Sequence, residues 1–293
     1  MKHQNSYVNG QYFSVIDGKL CYFGKSLTET QIIEQAKDVL QKLNLPGRAL
    51  INNPKSEETL KLCWLSYIFC IASQSVNYER PLTFTRHLNN FSLDEITNAE
   101  FVYTEALKFL RLPQNRYREP FDFANDNPYG GMLELAIAYS ETPKQIRDKF
   151  AKIRWIKGKT SSFWSLCLNG KEFLTLDVHN LRQISGLGIN VNPDFYILSR
   201  RPNGKEGIRN PSYKQYKAIE SKSLEFLNRF PEFCEDGKIN GALASSIFWV
   251  AGAEAKRRGL LYELHSKGSY QLNLFDQDSV YNGSLKFESP FEF

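Results

Sequence analysis

Residues 142–170 read TPKQIRDKFAKIRWIKGKTSSFWSLCLNG and carry two helix signals separated by a short break. Thr142-Pro143 is an N-cap residue followed by proline at the first helical position, which predicts a helix that runs to about Lys152. A connector, Ile153–Gly158, contains a glycine, and a second helix is expected from Lys159 to about Leu168. The stretch therefore predicts a helix, a short hairpin and a second helix.

The hairpin predicts an anion-binding site, because the N–H groups and the dipole of a helix N-terminus attract a phosphate. Such a contact holds a DNA backbone without reading its sequence. Lys159 lies in the first turn, where the dipole disfavours its charge, and a lysine with a depressed pKa can act as an amine nucleophile. Asp177 follows eighteen residues later, at the start of a helix expected over Val178–Ile184. This carboxylate can cap that helix and also stabilise a growing positive charge.

Two strings carry a family resemblance: Lys157-Gly-Lys-Thr-Ser-Ser-Phe-Trp164 and Leu176-Asp-Val-His179. They resemble the helix-hairpin-helix DNA glycosylases, and most of all the 8-oxoguanine DNA glycosylases of base-excision DNA repair. The resemblance implies that Lys159 attacks C1′ of a flipped nucleotide and that Asp177 is the essential carboxylate. It implies that DNA is contacted by Gln74, Lys157, Gly158, His179 and Arg182. Lys157 is the alternative nucleophile.

Weaker matches to the same family lie outside the central stretch. Gln74 ends a buried helix in the string Ile71–Ser75, and the resemblance implies that it fills the gap left by the flipped nucleotide. Ser245 and Trp249 match the positions at which the family reads and stacks on the base, and Phe163 is a further candidate for the base pocket. The family implied here uses neither a metal nor an organic cofactor.

Two departures from the family pattern keep other functions open. Arg154–Gly158 replaces the usual Leu-Pro-Gly-(Ile/Val)-Gly hairpin, and Ser245 stands where an amide is usual. The first alternative is a glycosylase for another modified base, for example in foreign DNA. The second is a non-catalytic helix-hairpin-helix module that only binds DNA. Retention of both Lys159 and Asp177 favours the enzyme, a glycosylase with AP lyase activity, because binding alone requires neither.

Composition is compatible with a DNA-binding enzyme. The chain of 293 residues has a net charge of +5, a pI of about 8.8 and 42% hydrophobic residues, which excludes a disordered chain. The five cysteines are scattered without a C-x-x-C pair, so no zinc or iron–sulfur site is expected. Neither a membrane span nor a signal peptide is evident. We expect a cytoplasmic monomer, nucleoid-associated if bacterial, whose partner is double-stranded DNA.

The rest of the chain predicts a mainly α, two-lobed helix-hairpin-helix glycosylase fold with a small N-terminal β-hairpin. Residues 7–24 alternate β-formers with Asn-Gly and Asp-Gly turns. Further helices are expected over residues 28–43, 56–75, 92–110, 131–139, 212–230 and 240–258, and loops over 113–128 and 190–211. The expected units are an N-terminal hairpin and helix (1–55), the glycosylase core (56–265, with the hairpin motif at 143–170) and an extended tail (266–293).

The tail contains a second motif, Gln271-Leu-Asn-Leu-Phe275. It resembles the peptide by which bacterial DNA enzymes bind the replication sliding clamp. Its Gln271, Leu272, Leu274 and Phe275 are the candidate clamp contacts, since an extended segment with apolar anchors fits a groove. The alternative is an arm that packs on the body through the same apolar side chains.

Overall fold

The computed structural model describes residues 12–22, 27–44, 56–73, 79–110, 143–151, 156–168, 170–177, 180–181, 183–184, 187–189, 198–200, 206–208, 212–257 and 289. This part of the chain is mainly helical and has a small antiparallel hairpin near its N-terminal end, as predicted. None of the helices in these ranges has the combined length and apolar character that a membrane crossing requires. The boundaries predicted at residues 55 and 265 lie outside the described residues, as do the predictions for 113–128 and 131–139.

The helices are α1 (Glu29–Leu43), α2 (Glu57–Ala72), α3 (Glu79–Leu88), α4 (Leu93–Thr97), α5 (Ala99–Leu110), α6 (Pro143–Phe150), α7 (Gly158–Cys167), α8 (Tyr213–Leu227) and α9 (Gly241–Arg257). Within the described residues, the strands form three two-stranded antiparallel hairpins: β1 (Phe13–Ile16) with β2 (Lys19–Tyr22), β3 (Leu198–Arg200) with β4 (Glu206–Ile208), and β5 (Cys234–Glu235) with β6 (Lys238–Ile239).

The β1–β2 hairpin turns at Asp17 and Gly18, which both have positive φ (50° and 76°). Two positive φ values in a two-residue turn match the twist of the flanking strands, and the Asp-Gly pair supplies them at low cost. Phe13 is buried, and its ring meets that of Phe248 in α9 at 5.7 Å between centroids. The hairpin is thereby packed on the helical body.

Helix α2 lies at the centre of the core, as its lack of a polar face predicted. Every residue from Leu62 to Ala72 is buried. Trp64 and Tyr67 stack with their ring centroids 5.3 Å apart. Helix α2 packs against α3, α4 and α7, so it links the N-terminal half of the described chain to the predicted hairpin motif.

Helix α7 is buried although it is rich in serine. Two of its serine hydroxyls bond to its own backbone: Ser165 Oγ donates to the Ser161 carbonyl at 2.9 Å, and Ser161 Oγ lies 3.1 Å from the carbonyls of Lys157 and Gly158. Satisfied hydroxyls can be buried without a large desolvation penalty. Small side chains also let α7 approach α2, where Trp164 Nε1 donates to Ser66 Oγ at 3.0 Å.

Several element predictions were wrong in detail. The helix expected over 92–110 is broken at Asn98 into α4 and α5, and the loop expected over 190–211 contains the β3–β4 hairpin. The helix predicted to start at Lys159 starts at Gly158. Helix α3 and the β5–β6 hairpin were not predicted at all. Their lengths explain this, since ten residues and two-residue strands carry little periodic signal.

Candidate active site

Helices α6 and α7 lie where the sequence predicted the two helices on either side of a short hairpin. Lys157 precedes α7 as its N-cap residue, with an extended backbone and no side-chain hydrogen bond to the helix. The first helical hydrogen bond runs from the Ser161 N–H to the Lys157 carbonyl at 3.1 Å. The N–H groups ahead of Ser161 therefore receive no cap from Lys157, and such groups at a helix start are donors for an anion.

The two candidate nucleophiles both reach solvent at this helix start. Lys157 and Lys159 are exposed. Gly158, which lies between them, and Thr160, which follows them, are buried. This alternation presents two amines at the first turn of α7.

Asp177 is half-buried and begins the next helical segment. Its Oδ1 accepts a hydrogen bond from the Asn180 N–H at 2.8 Å, and its carbonyl accepts one from the Leu181 N–H at 2.9 Å. This is the geometry of an N-cap, which confirms the structural role predicted for this residue. The cap fixes the direction in which the carboxylate points.

The segment that leads to Asp177 is held by side chains instead of by a neighbouring strand. The N–H of Leu174 donates to Glu220 Oε1 at 3.0 Å, that of Thr175 to Ser245 Oγ at 2.8 Å, and that of Leu176 to the Tyr216 hydroxyl at 2.9 Å. Buried backbone N–H groups need such partners. Three consecutive residues before Asp177 are thus attached to helices α8 and α9.

Tyr216 of α8 connects this segment to the start of α7. A Cβ atom on Gly158 would lie 2.5–2.8 Å from three carbons of the Tyr216 ring, so the ring packs directly against the glycine. The Tyr216 hydroxyl also donates to the Leu174 carbonyl at 3.0 Å. Burial raises the pKa of Tyr216, which keeps the hydroxyl protonated and able to donate and accept at once.

A buried ion pair joins α6 to the same segment. Arg147 and Glu220 are hydrogen-bonded, with 5% and 4% of their side chains exposed, and the Arg147 guanidinium lies 4.0 Å above the Phe173 ring. Burial raises the pKa of the Glu220 carboxyl, and the charge of Arg147 together with the Leu174 N–H opposes that rise. The pair fixes α6, α8 and residues 173–174 relative to one another.

The three base-pocket candidates occupy different surroundings. Ser245 is buried and bonded on both sides: it accepts from the Thr175 N–H and donates to the Gly241 carbonyl at 2.7 Å. Phe163 is half-buried, with its ring 6.1 Å from that of Phe69. Trp249 is half-buried against the core. The Ser245 hydroxyl therefore supports the segment before Asp177.

A crevice lies beneath α7, between α2 and α6. Its lining includes Cys70, Phe150, Thr160 and Trp164, and it is too narrow to hold a nucleobase. Its inner wall contains the Cys70 thiol, which lies 3.9 Å from that of Cys167. Burial raises the pKa of Cys70, as is usual for a thiol in an apolar core.

Several predicted site residues lie outside the described residues: Gln74, His179, Arg182, Gln271, Leu272, Leu274 and Phe275. Within the described ranges, no three His, Cys, Asp or Glu side chains are grouped as a metal site requires.

The residues that tie the candidate site together were not predicted, namely Tyr216, Glu220 and Arg147. One signal was present in the sequence. Tyr216, Glu220, Ser223 and Leu227 recur on the buried face of α8, so a glutamate falls at a core-facing position of an amphipathic helix. A buried carboxylate predicts a partner, but the pattern does not say which residue that partner is.

Comparisons with known proteins do not extend this description: no protein-family model, curated protein or solved structure matches the chain.

Proposed function

We propose that the protein is a DNA N-glycosylase with AP lyase activity that excises a modified purine, 8-oxoguanine first among the candidates. One observation supports this most. The exposed amine of Lys159 stands at the start of α7, and Gly158 and Tyr216 connect that helix start to the segment that ends in Asp177. The two residues singled out by the resemblance thus belong to one packed unit, although eighteen positions separate them in the chain.

DNA binding in this proposal uses the start of α7. A backbone phosphate is bound by the N–H groups that Lys157 leaves uncapped, and the ammonium group of Lys157 adds a charge-assisted contact. The damaged nucleotide is flipped out of the duplex, which costs a few kcal/mol of stacking and pairing. Its sugar is then presented to Lys159.

The chemistry is amine attack on the sugar. The Nζ lone pair of Lys159 forms a bond to C1′ while the bond from C1′ to the base breaks, and the base leaves with that electron pair and takes up a proton. Loss of a proton from Nζ and opening of the sugar ring give a Schiff base. β-Elimination then removes a proton from C2′ and forms a double bond between C2′ and C3′. The C3′–O3′ bond breaks in the same step, the 3′ phosphate leaves, and the strand is nicked. The ionised Asp177 carboxylate stabilises the positive charge that develops on the sugar.

Borohydride trapping tests the nucleophile, because reduction of the Schiff base fixes the protein to DNA. The wild type, Lys159→Gln and Lys157→Gln are compared on a duplex with 8-oxoguanine and on a duplex with an abasic site. We expect adducts with the wild type and with Lys157→Gln, and none with Lys159→Gln. The two lysines are matched controls, because both are exposed and they flank the same glycine.

The other outcomes are also decisive. An adduct that requires Lys157 and not Lys159 would move the nucleophile to Lys157. Trapping on the abasic duplex alone would keep the lysine chemistry and change the base that is removed. If the wild type gives no adduct on either duplex, the glycosylase proposal is wrong, and duplex binding that persists in that case would favour a non-catalytic module.

Asp177→Asn separates the charge of this residue from its structural role. Asparagine is as good an N-cap as aspartate, so the bond to the Asn180 N–H is retained and the melting temperature should stay close to that of the wild type. Removal of the charge should slow trapping at saturating enzyme on the order of 100-fold. An unchanged trapping rate would show that the carboxylate has no part in the reaction.

A further inference from the structure

The three side chains that hold residues 174–176 differ in the other contacts that they make. Glu220 is paired with Arg147 of α6, and Ser245 is bonded to the backbone of its own helix α9. The ring of Tyr216 packs against Gly158 at the start of α7. A displacement of the Tyr216 side chain would therefore move both the start of α7, which carries Lys159, and the segment that ends in Asp177.

The contact with α7 is close on the side of Gly158. The ring of Tyr216 occupies the volume that any Cβ atom at position 158 would need, and Tyr216 is 3% exposed. Packed side chains in protein interiors have little free volume in which to move. The ring therefore determines how far the first turn of α7, which carries Lys159, lies from α8.

The hydroxyl of Tyr216 makes equally specific contacts with residues 174–176. It accepts from the Leu176 N–H at 2.9 Å and donates to the Leu174 carbonyl at 3.0 Å. Two hydrogen bonds from one oxygen fix the position of the segment along its length as well as its distance from α8. The residue after Leu176 is Asp177, whose carboxylate is oriented in turn by the Asn180 N–H.

We infer that Tyr216 is a positioning residue, which sets the placement of Lys159 relative to Asp177 through its ring and its hydroxyl; this inference rests on the proposed glycosylase function. Tyr216 is buried, so in this inference it acts through Lys159 and Asp177 instead of through a contact of its own with DNA. Errors on the order of 1 Å in the placement of reacting groups can cost about 100-fold in rate, so a positioning residue is visible in the chemical step.

The test is Tyr216→Phe, which keeps the ring against Gly158 and removes the hydroxyl. The hydrogen bonds to the Leu176 N–H and the Leu174 carbonyl are lost with it, as is the interaction with Ser162 of α7. Tyr213→Phe is the matched control. It is the same substitution on the same helix one turn earlier, and it removes a hydroxyl that bonds to Asp148 of α6 instead of to residues 174–176. Both variants lose a tyrosine hydroxyl, so a general loss of packing at α8 would affect them alike.

Two quantities separate positioning from binding. The first is the rate of borohydride trapping at saturating enzyme on a duplex with a natural abasic site. The second is the Kd for a duplex with a tetrahydrofuran abasic analogue, which cannot react. We expect Tyr216→Phe to slow trapping by about 10- to 100-fold with a Kd within about threefold of the wild type. Tyr213→Phe should leave both quantities unchanged.

A third measurement covers the case in which Tyr216→Phe is less stable. Amide hydrogen exchange at Leu176 and Leu174, read with the melting temperature, reports the segment directly. We expect faster exchange at Leu176 in Tyr216→Phe and no change there in Tyr213→Phe. Equal trapping rates for Tyr216→Phe and an active wild type would overturn the inference and leave the glycosylase proposal intact. A wild type that cannot be trapped would instead overturn the proposed function, and the catalytic role of Tyr216 with it.

Discussion

Gly158 is required by the tyrosine that packs against it, which gives a prediction about stability. A methyl group at position 158 would meet the Tyr216 ring at 2.5–2.8 Å, well inside the separation at which carbon atoms attract each other. We expect Gly158→Ala to lower the free energy of unfolding by about 1–3 kcal/mol, as overpacking of a filled interior does. Urea denaturation followed by circular dichroism measures the change.

The control for Gly158→Ala is the same substitution in a Tyr216→Ala background. Removal of the ring is itself expensive, since a buried aromatic truncated to alanine costs about 3–5 kcal/mol. In that background the added methyl group meets no ring, so Gly158→Ala should cost little more. Equal costs in the two backgrounds would show that the ring is not the source of the effect.

Candidate residues of the site differ in how much of them the sequence could predict. Lys159 and Asp177 could be singled out because the two strings that carry the family resemblance, residues 157–164 and 176–179, lie close together in the chain. Tyr216 was missed because its backbone partner Leu176 is 40 positions away, and Glu220 because Arg147 is 73 positions away. Contacts of that range depend on how helices pack, and a single sequence does not encode them in any local pattern.

At the scale of elements, the helices with a clear period or a capping box were predicted within a few residues. Helix α1 has the capping box of Thr28 with Gln31, and α8 that of Ser212 with Gln215. The β5–β6 hairpin was missed although Asp236 and Gly237 form the same positive-φ turn as Asp17 and Gly18. Its strands are two residues long, which is too short for the alternation that identifies a strand.

The break between α4 and α5 shows a tertiary contact that overrides local propensity. The Trp64 indole N–H donates to the Ile96 carbonyl, which withdraws that carbonyl from any continuous helix. Asn98 then caps the next helix, because its Oδ1 accepts from the Phe101 N–H at 3.1 Å. We expect Asn98→Ala to lower the free energy of unfolding by about 1 kcal/mol, measured by urea denaturation.

Asn98→Asp is the control for the cap, because aspartate retains the acceptor oxygen. It should unfold at nearly the denaturant concentration of the wild type. If Asn98→Ala is as stable as Asn98→Asp, the break is maintained by Trp64 alone and the cap is dispensable.

Glu105 links α5 to α3 and gives a prediction about acid stability. Its Oε1 bonds to Lys108 at 2.5 Å and its Oε2 to His87 at 2.8 Å, and the bond to Lys108 followed by that to His87 lowers the pKa of the carboxyl. The folded state therefore binds this proton less readily than the unfolded chain does. The resulting stability is fully present above the unfolded pKa of about 4.3 and is lost as the pH falls through the folded pKa.

The variant Glu105→Gln tests this predicted loss of stability at low pH. At pH 7 the variant should be less stable than the wild type, because glutamine lacks the charge that Lys108 pairs with. Between about pH 5 and pH 3 the wild type should lose more stability than the variant, so the gap between them narrows. Urea denaturation at about pH 5 and at about pH 3 measures the difference in the free energy of unfolding between the two proteins. A gap that stays constant with pH would show that the pKa of Glu105 is the same in the folded and unfolded chains.

At the scale of the whole molecule, both ends of the described chain are attached to the helical body. The Tyr12 N–H donates to Gln183 Oε1 at 2.8 Å, and Gln183 lies in the helical segment that Asp177 begins. Near the other end, Ser289 is buried and bonds to α1 and α3. In the sequence, the predicted clamp peptide, residues 271–275, therefore falls between α9 and a point of attachment at Ser289.

Ser289 provides the test of that attachment. Its hydroxyl donates to the Lys42 carbonyl at 2.8 Å in the last turn of α1, and its carbonyl accepts from Arg86 of α3 at 3.1 Å. We expect Ser289→Ala to lower the free energy of unfolding by about 0.5–1.5 kcal/mol, the net value of one buried hydrogen bond. A chain that ends at Lys286 should lose more, because the hydrogen bond from Arg86 to the Ser289 carbonyl is then lost as well. If both variants unfold at the same urea concentration as the full chain, the end of the chain adds nothing to stability, and the clamp peptide can be regarded as part of a free tail.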